Sequence, residues 1–290
     1  MFTGSMVAIV TPYKKGKFDE TGMRELIEFQ IKGGTDVIVP CGTTGEASTM
    51  THDEHKYVIQ FVIKEVKGRI PVVAGAGSNS TAEAVELVRF AKKTGADGVL
   101  VVTPYYNKPT QKGLIAHYTT IAQEVDIPII PYNVPGRTAV NMLPETVAQL
   151  AKIKNIVGIK EASGNLQQIT EVIMLCGPKF SVLSGDDFII LPVMAVGGKG
   201  IISVVANIVP AKVAALVDAF NAGDLKKAAQ LQLDIFPLCQ AMFYETNPIP
   251  VKTALSLMKK IDFEVRLPLC AMSEGNQNKL QEVMKKAQLI

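Results

Sequence analysis

One lysine in this chain stands where a lysine is costly. In Ile156-Val-Gly-Ile-Lys160-Glu-Ala-Ser163, four apolar or small residues read as a strand covered on both faces, and the polar run from Lys160 marks its carboxyl end. An ammonium beside apolar groups either finds a partner or sheds its proton more readily, and a neutral amine is a nucleophile toward a carbonyl carbon. The plain alternative is a lysine that snorkels from the strand end to solvent. Tyr132 ends the preceding apolar run. Neighbouring strands lie about 5 Å apart, so a phenol and an amine at consecutive strand ends can meet. A phenol with a pKa of about 10 suits proton exchange with an amine on the way to an imine. Tyr132 could equally cap the core with its ring.

Other short polar stretches follow apolar runs. Gly42-Thr-Thr-Gly45 offers hydroxyls and backbone N–H groups in a tight turn, which suits the carboxylate of a keto acid. Such a turn also commonly just starts a helix. Asn133-Val-Pro-Gly-Arg137 puts a guanidinium one turn beyond Tyr132, able to grip a second carboxylate or simply to be held on the surface by its loop. Tyr105-Tyr106, stiffened by Pro104 and Pro109, either fills a gap at an interface or brings another phenol to the site. His52 and His55 share one side of a helix start but have no third ligand at metal-site spacing, so no metal is expected. His117 reads as a structural or exposed helix residue, and Asp186-Asp187 either as a carboxylate pair for a metal or, equally well, as a helix cap. There is no Gly-x-Gly-x-x-Gly after the first strand, no Gly-Lys-Ser/Thr phosphate loop and no serine nucleophile elbow. What remains is amine chemistry on a small keto acid, in which the protonated imine is itself the electron sink and no cofactor is needed.

Eight apolar runs are placed to carry these residues: 6–10, 36–40, 70–74, 98–102, 127–131, 156–160, 180–184 and 200–203. Amphipathic helical stretches alternate with them at 20–32, 51–66, 81–94, 111–125, 144–152, 166–176 and 187–196. Thr51 followed by Glu54 and Ser80 followed by Glu83 read as capping boxes, and Gly33-Gly34, Gly68, Gly95 and Gly177 as helix stops. Eight alternations indicate an α/β fold, a (β/α)8 barrel with its site at the carboxyl ends of the strands. An open doubly wound sheet would use fewer strands and an early glycine-rich loop. Helical stretches at 210–222, 224–239, 248–258 and 275–287 close the chain. The expected division is a catalytic barrel over 1–222 and a C-terminal helical region over 223–290 that packs on it or supports subunit association.

Composition limits the partners. The net charge of +3 comes from 30 basic and 27 acidic residues dispersed along the chain, which gives nucleic-acid binding little support. No apolar run reaches membrane-spanning length. The four cysteines have no paired-ligand spacing and suit a reducing compartment, and a strand pattern begins almost at once, so a cytoplasmic, unsecreted protein is expected.

Gly42-Thr-Thr-Gly-Glu46, Tyr132-Asn-Val-Pro-Gly-Arg-Thr138, Gly158-Ile-Lys-Glu-Ala-Ser163 and Leu183-Ser-Gly-Asp-Asp187 together resemble the pyruvate-dependent class I aldolases of the N-acetylneuraminate lyase superfamily. The resemblance is greatest to the branch that condenses pyruvate with L-aspartate 4-semialdehyde, the committed step toward diaminopimelate and lysine, and it runs from the first strand to the terminal helices. It implies that Lys160 forms the Schiff base with pyruvate. Tyr132, Thr44 and Tyr106 would form a proton relay, with Tyr106 coming from the neighbouring subunit of a tight dimer within a homotetramer. Thr43 and Thr44 would hold the pyruvate carboxylate, Arg137 the carboxylate of the aldehyde, and Gly185 and Ile202 would line the pyruvate side with backbone carbonyls. Members inhibited by lysine bind it at the dimer interface, at positions matching Ser48, His52, His55, Asn79, Glu83 and Tyr105. Lyases acting on N-acetylneuraminate or keto-deoxy sugar acids share the lysine and tyrosine and are the nearest alternative, with a catalytically silent sensor or structural barrel behind them. Arg137 and the Tyr105-Tyr106 pair favour the short charged aldehyde.

Overall fold

The computed structural model describes residues 2–290. Eight strands, Gly4–Ala8, Val37–Val39, Val73–Gly75, Gly98–Val102, Ile129–Asn133, Gly158–Glu161, Ser181–Ser184 and Gly200–Ser203, form one parallel sheet. Each pairs with the next in the chain except the second with the third, and the first also pairs with the eighth. A parallel bridge between Ile38 and Val72, with the Gly75 amide donating to Pro40 O at 2.8 Å, joins the second to the third and closes the ring. This is the expected (β/α)8 barrel.

Alternation along each strand divides the apolar residues between two cores. Met6, Ala8, Val37, Val39, Val73, Leu100, Ile130, Leu183 and Ile202 fill the barrel, and Tyr132 joins them at its carboxyl end. Their neighbours on the outer face, such as Val7, Ile38, Val99, Ile129 and Ile159, pack under the helices. The fourth and eighth strands lie where the apolar runs put them. The first begins two residues earlier than expected, on Gly4 and Ser5. No apolar pattern marks these two because Gly4 is selected for space: a methyl there would lie 2.1 Å from Asp36 Oδ2. The third starts later than expected, beyond Pro71, and the fifth is shifted two residues forward so that it includes Tyr132 and Asn133.

The layer of helices is α1 Glu20–Lys32, α2 His52–Val66, α3 Thr81–Thr94, α4 Gln111–Glu124, α5 Pro135–Thr138, α6 Pro144–Leu150, α7 Leu166–Cys176, α8 Ile190–Ala195 and α9 Pro210–Asn221. Thr51 and Ser80 cap α2 and α3 by accepting from the Glu54 and Glu83 amides. Gly95 takes the left-handed C-cap of α3 at φ 96°, whereas α2 uses Lys67, one residue ahead of the expected Gly68. Asp186 caps the turn that follows the seventh strand, but Asp187 does not act as a cap. Its buried carboxylate accepts from the Val204 and Val205 amides and from Ser203 Oγ, tying the ends of the seventh and eighth strands together.

Three further helices, α10 Leu225–Ala241, α11 Ile249–Leu257 and α12 Glu274–Lys286, pack on the barrel and on one another. Gln232 of α10 donates to Asp187 O and accepts from the Leu191 amide, which anchors this layer to the seventh strand. Among the described residues, no helix is long and apolar enough to cross a membrane.

Between α3 and α4, His117 shares a hydrogen bond with Thr81 while its Nε2 is buried without a partner. Burial holds this imidazole down from 6.5 to about 4. As pH falls from 6.5 toward 4, the unfolded chain takes up the proton and the folded imidazole does not, so stability falls with pH in that window. The loss reaches about 3 kcal/mol at its foot. Urea unfolding across the window is expected to show a shallower decline for His117→Asn than for the wild type.

Candidate active site

Tyr132 and Lys160 are register partners on adjacent strands and both face into the barrel mouth. Lys160 is 5% exposed, and its Nζ rests over the Tyr132 ring, 4.3 Å from the centroid. The amine therefore meets the π face of the ring, a favourable seat for a cation. Among the described residues no acidic side chain forms an ion pair with it. Gly185 leaves the room the lysine occupies, since a methyl there would lie 3.0 Å from Lys160 Cε and 2.6 Å from the Ala162 side chain.

The next register pair, Asn133 and Glu161, faces the other side of the sheet and is fully buried. Glu161 accepts from Asn133 Nδ2, Gln168 Nε2 and the Ser163 amide. Burial raises its pKa above the usual carboxylate range, against the opposing effect of these donors. The network holds the ends of both strands directly behind the amine and the phenol.

The turn after the second strand supplies Thr43 and Thr44. It is bracketed by Cys41 and Glu46, two non-glycine residues in the left-handed region at φ 55° and 58°. Inside it, the Gly45 amide donates to Gly42 O and the Glu46 amide to Thr43 O, both at 3.1 Å. Thr44 is 2% exposed, and its Oγ1 accepts from Asn247 Nδ2 at 3.0 Å. The backbone carbonyl of Asn247 accepts from the Arg137 guanidinium at 3.2 Å. The Glu46 carboxylate is fully buried against Lys252 Nζ at 2.6 Å, with Lys252 also donating to Thr11 O. Burial pulls the Lys252 ammonium below its ordinary pKa range, and Glu46 opposes that pull.

Thr43, Tyr132 and Arg137 line a cavity of about 370 Å³ at the carboxyl ends of the strands. Ser48, His52, His55, Glu83 and Tyr105 line the same cavity, and Asn79 adjoins it by donating to Tyr105 O. His55 is buried and donates from Nε2 to Gly75 O at 2.7 Å. Ile202 is fully buried in the barrel beneath the mouth. Tyr106 stands apart, 89% exposed on a left-handed residue and outside this chain's own cavity. Among the described residues no three His, Cys, Asp or Glu side chains are grouped to hold a metal ion.

The chain matches the Dihydrodipicolinate synthetase family over residues 1–287. It belongs to that family. It is 65% identical over the full length of both chains to the 4-hydroxy-tetrahydrodipicolinate synthase of Geobacter sulfurreducens. Two solved structures have nearly the same backbone. The chloride-inhibited dihydrodipicolinate synthase of Acinetobacter baumannii, complexed with pyruvate, is 46% identical with a TM-score of 0.98, covering all of both chains. The enzyme from Cyanidioschyzon merolae with lysine bound is 38% identical with a TM-score of 0.97, covering 100% of this chain and 99% of that one.

Within this family frame, sequence reading missed Asn247 and Lys252. Their one signal is the run Asn247-Pro-Ile-Pro-Val-Lys252, a lysine in an otherwise apolar helical stretch. Gly185 generates a test. Gly185→Ala is expected to stay folded while displacing Lys160, lowering kcat on the order of 100-fold. Steady-state kinetics beside a thermal melt would separate that from simple destabilisation.

Proposed function

We propose that this member of the dihydrodipicolinate synthetase family condenses pyruvate with L-aspartate 4-semialdehyde to 4-hydroxy-2,3,4,5-tetrahydrodipicolinate through an imine on Lys160. The observation that carries this reading is the amine seated on the Tyr132 ring, free of any acidic partner, at the mouth of the barrel. The Lys160 amine adds to the pyruvate carbonyl, water leaves, and loss of a methyl proton gives an enamine whose carbon attacks the aldehyde; the amino group of the semialdehyde then adds to the imine carbon so regenerated, closing the ring and releasing the Lys160 amine. Tyr132, Thr44 and Tyr106 of a neighbouring subunit relay the protons. Thr43 and Thr44 hold the pyruvate carboxylate with hydroxyls and amides, beside the backbone carbonyls of Gly185 and Ile202. Arg137 receives the carboxylate of the aldehyde. No metal or organic cofactor takes part, because the protonated imine accepts the electron pair.

The surface supports assembly as a homotetramer built from tight dimers. The exposed Tyr105-Tyr106 loop beside the cavity suits one interface. Leu166, Met174 and Leu175 on α7, Val196 after α8, and Leu233 and Phe236 on α10 are exposed on mutually packed elements and suit another. Cysteines left free accord with a cytoplasmic protein.

The test is consumption of pyruvate and L-aspartate 4-semialdehyde by the purified protein, with product followed through a coupled reductase. Turnover that Lys160→Ala abolishes without unfolding is expected. Consumption of N-acetylneuraminate or a keto-deoxy sugar acid in place of the semialdehyde would reassign the acceptor. Ser48, His52, His55, Asn79, Glu83 and Tyr105 further support weak to moderate feedback by L-lysine. A rate that stays flat as L-lysine is raised in the same assay would remove that part.

A further inference from the structure

The helix α11 lies far along the chain from every strand end, yet two of the tightest contacts of the substrate-facing turn come from it and from Asn247, two residues before it. Asn247 precedes α11 and is 4% exposed. Its side-chain N–H occupies the oxygen of Thr44, and its backbone carbonyl receives the Arg137 guanidinium. Five residues on, Lys252 meets the Glu46 carboxylate, whose other oxygen accepts from the Arg266 amide. Thr44 and Glu46 are the middle and end of a turn bracketed by left-handed non-glycine residues, a conformation that an isolated turn would relax.

We propose that Asn247 is a positioning residue that orients the Thr44 hydroxyl for proton transfer, and that the buried Glu46–Lys252 pair locks the turn beneath it. The inference deepens the imine reading above and rests on it. A threonine hydroxyl rotates freely unless its oxygen is engaged, and a fixed amide donor on that oxygen turns the hydroxyl proton away from Asn247, free to be passed on. The terminal helices thus serve the chemistry directly. Asn247 couples the two halves of the site, reaching Thr44 with its side chain and Arg137 with its backbone, so a side-chain substitution removes only the first link.

Exchange of the pyruvate methyl protons in D2O, followed by NMR, reads imine and enamine formation without any aldehyde. Asn247→Ala is expected to stay folded, to slow this exchange about 10- to 100-fold, and to lower kcat by a similar factor with KM for the aldehyde nearly unchanged. Asn247→Asp is expected to be no better, because a carboxylate would capture the hydroxyl proton that the amide leaves free. The double variant Glu46→Gln with Lys252→Met removes both buried charges together, and it should fold with a raised KM for pyruvate as well as slower exchange. Wild-type rates in folded Asn247→Ala, or a lowered melting temperature with unchanged kcat per folded molecule, would overturn the proposal. A wild-type protein that exchanges no pyruvate protons would overturn the imine reading and this inference with it.

Discussion

A primary amine buried at the mouth of a closed barrel is the constraint around which this structure is arranged. A lysine so placed must be kept from the solvent it would otherwise reach, given a seat that does not tie it up, and left enough room to react. The Tyr132 ring provides the seat through its face, leaving the amine without a carboxylate partner. Gly185 provides the room, and the register of the fifth and sixth strands brings the two side chains together. A carboxylate in the position of the ring would have tied the amine up in charge-assisted hydrogen bonds. Glu161 is close in sequence but faces the other side of the sheet, where amide donors satisfy it.

Around that amine the structure uses strain and compensation. The turn carrying Thr43 and Thr44 is entered and left through left-handed residues, each costing about 1 to 3 kcal/mol. Such a turn persists because its surroundings determine it more than once. Backbone hydrogen bonds within it, Thr11 Oγ1 donating to Gly45 O at 2.7 Å, and the buried Glu46–Lys252 pair all favour the same conformation. Removing one member of a buried pair costs about 3 to 5 kcal/mol, so the pair specifies this geometry more than it adds stability.

The sequence made the barrel legible because its signals are local. Gly98–Val102 and Gly200–Ser203 are bounded as their apolar runs suggest, and the ends of consecutive strands lie side by side, which is why Lys160 and Tyr132 could be paired by position alone. Local patterns fail where space decides. Gly4 and Ser5 open the first strand without an apolar residue because Gly4 packs beside Asp36. They fail again where contacts span the chain: Thr44 and Asn247 are 203 residues apart, and Glu46 and Lys252 are 206 apart, so no spacing could announce them. Tyr106 is exposed and lies outside the cavity of its own chain, so its sequence neighbours give no contact that would fix its ring.

The most direct measurement is reduction with borohydride in the presence of pyruvate, followed by digestion and mass spectrometry of the peptides. One residue, Lys160, is expected to carry the reduced pyruvate adduct, and no adduct is expected without pyruvate. An unmodified Lys160, or an adduct on another lysine such as the fully buried Lys252, would contradict it.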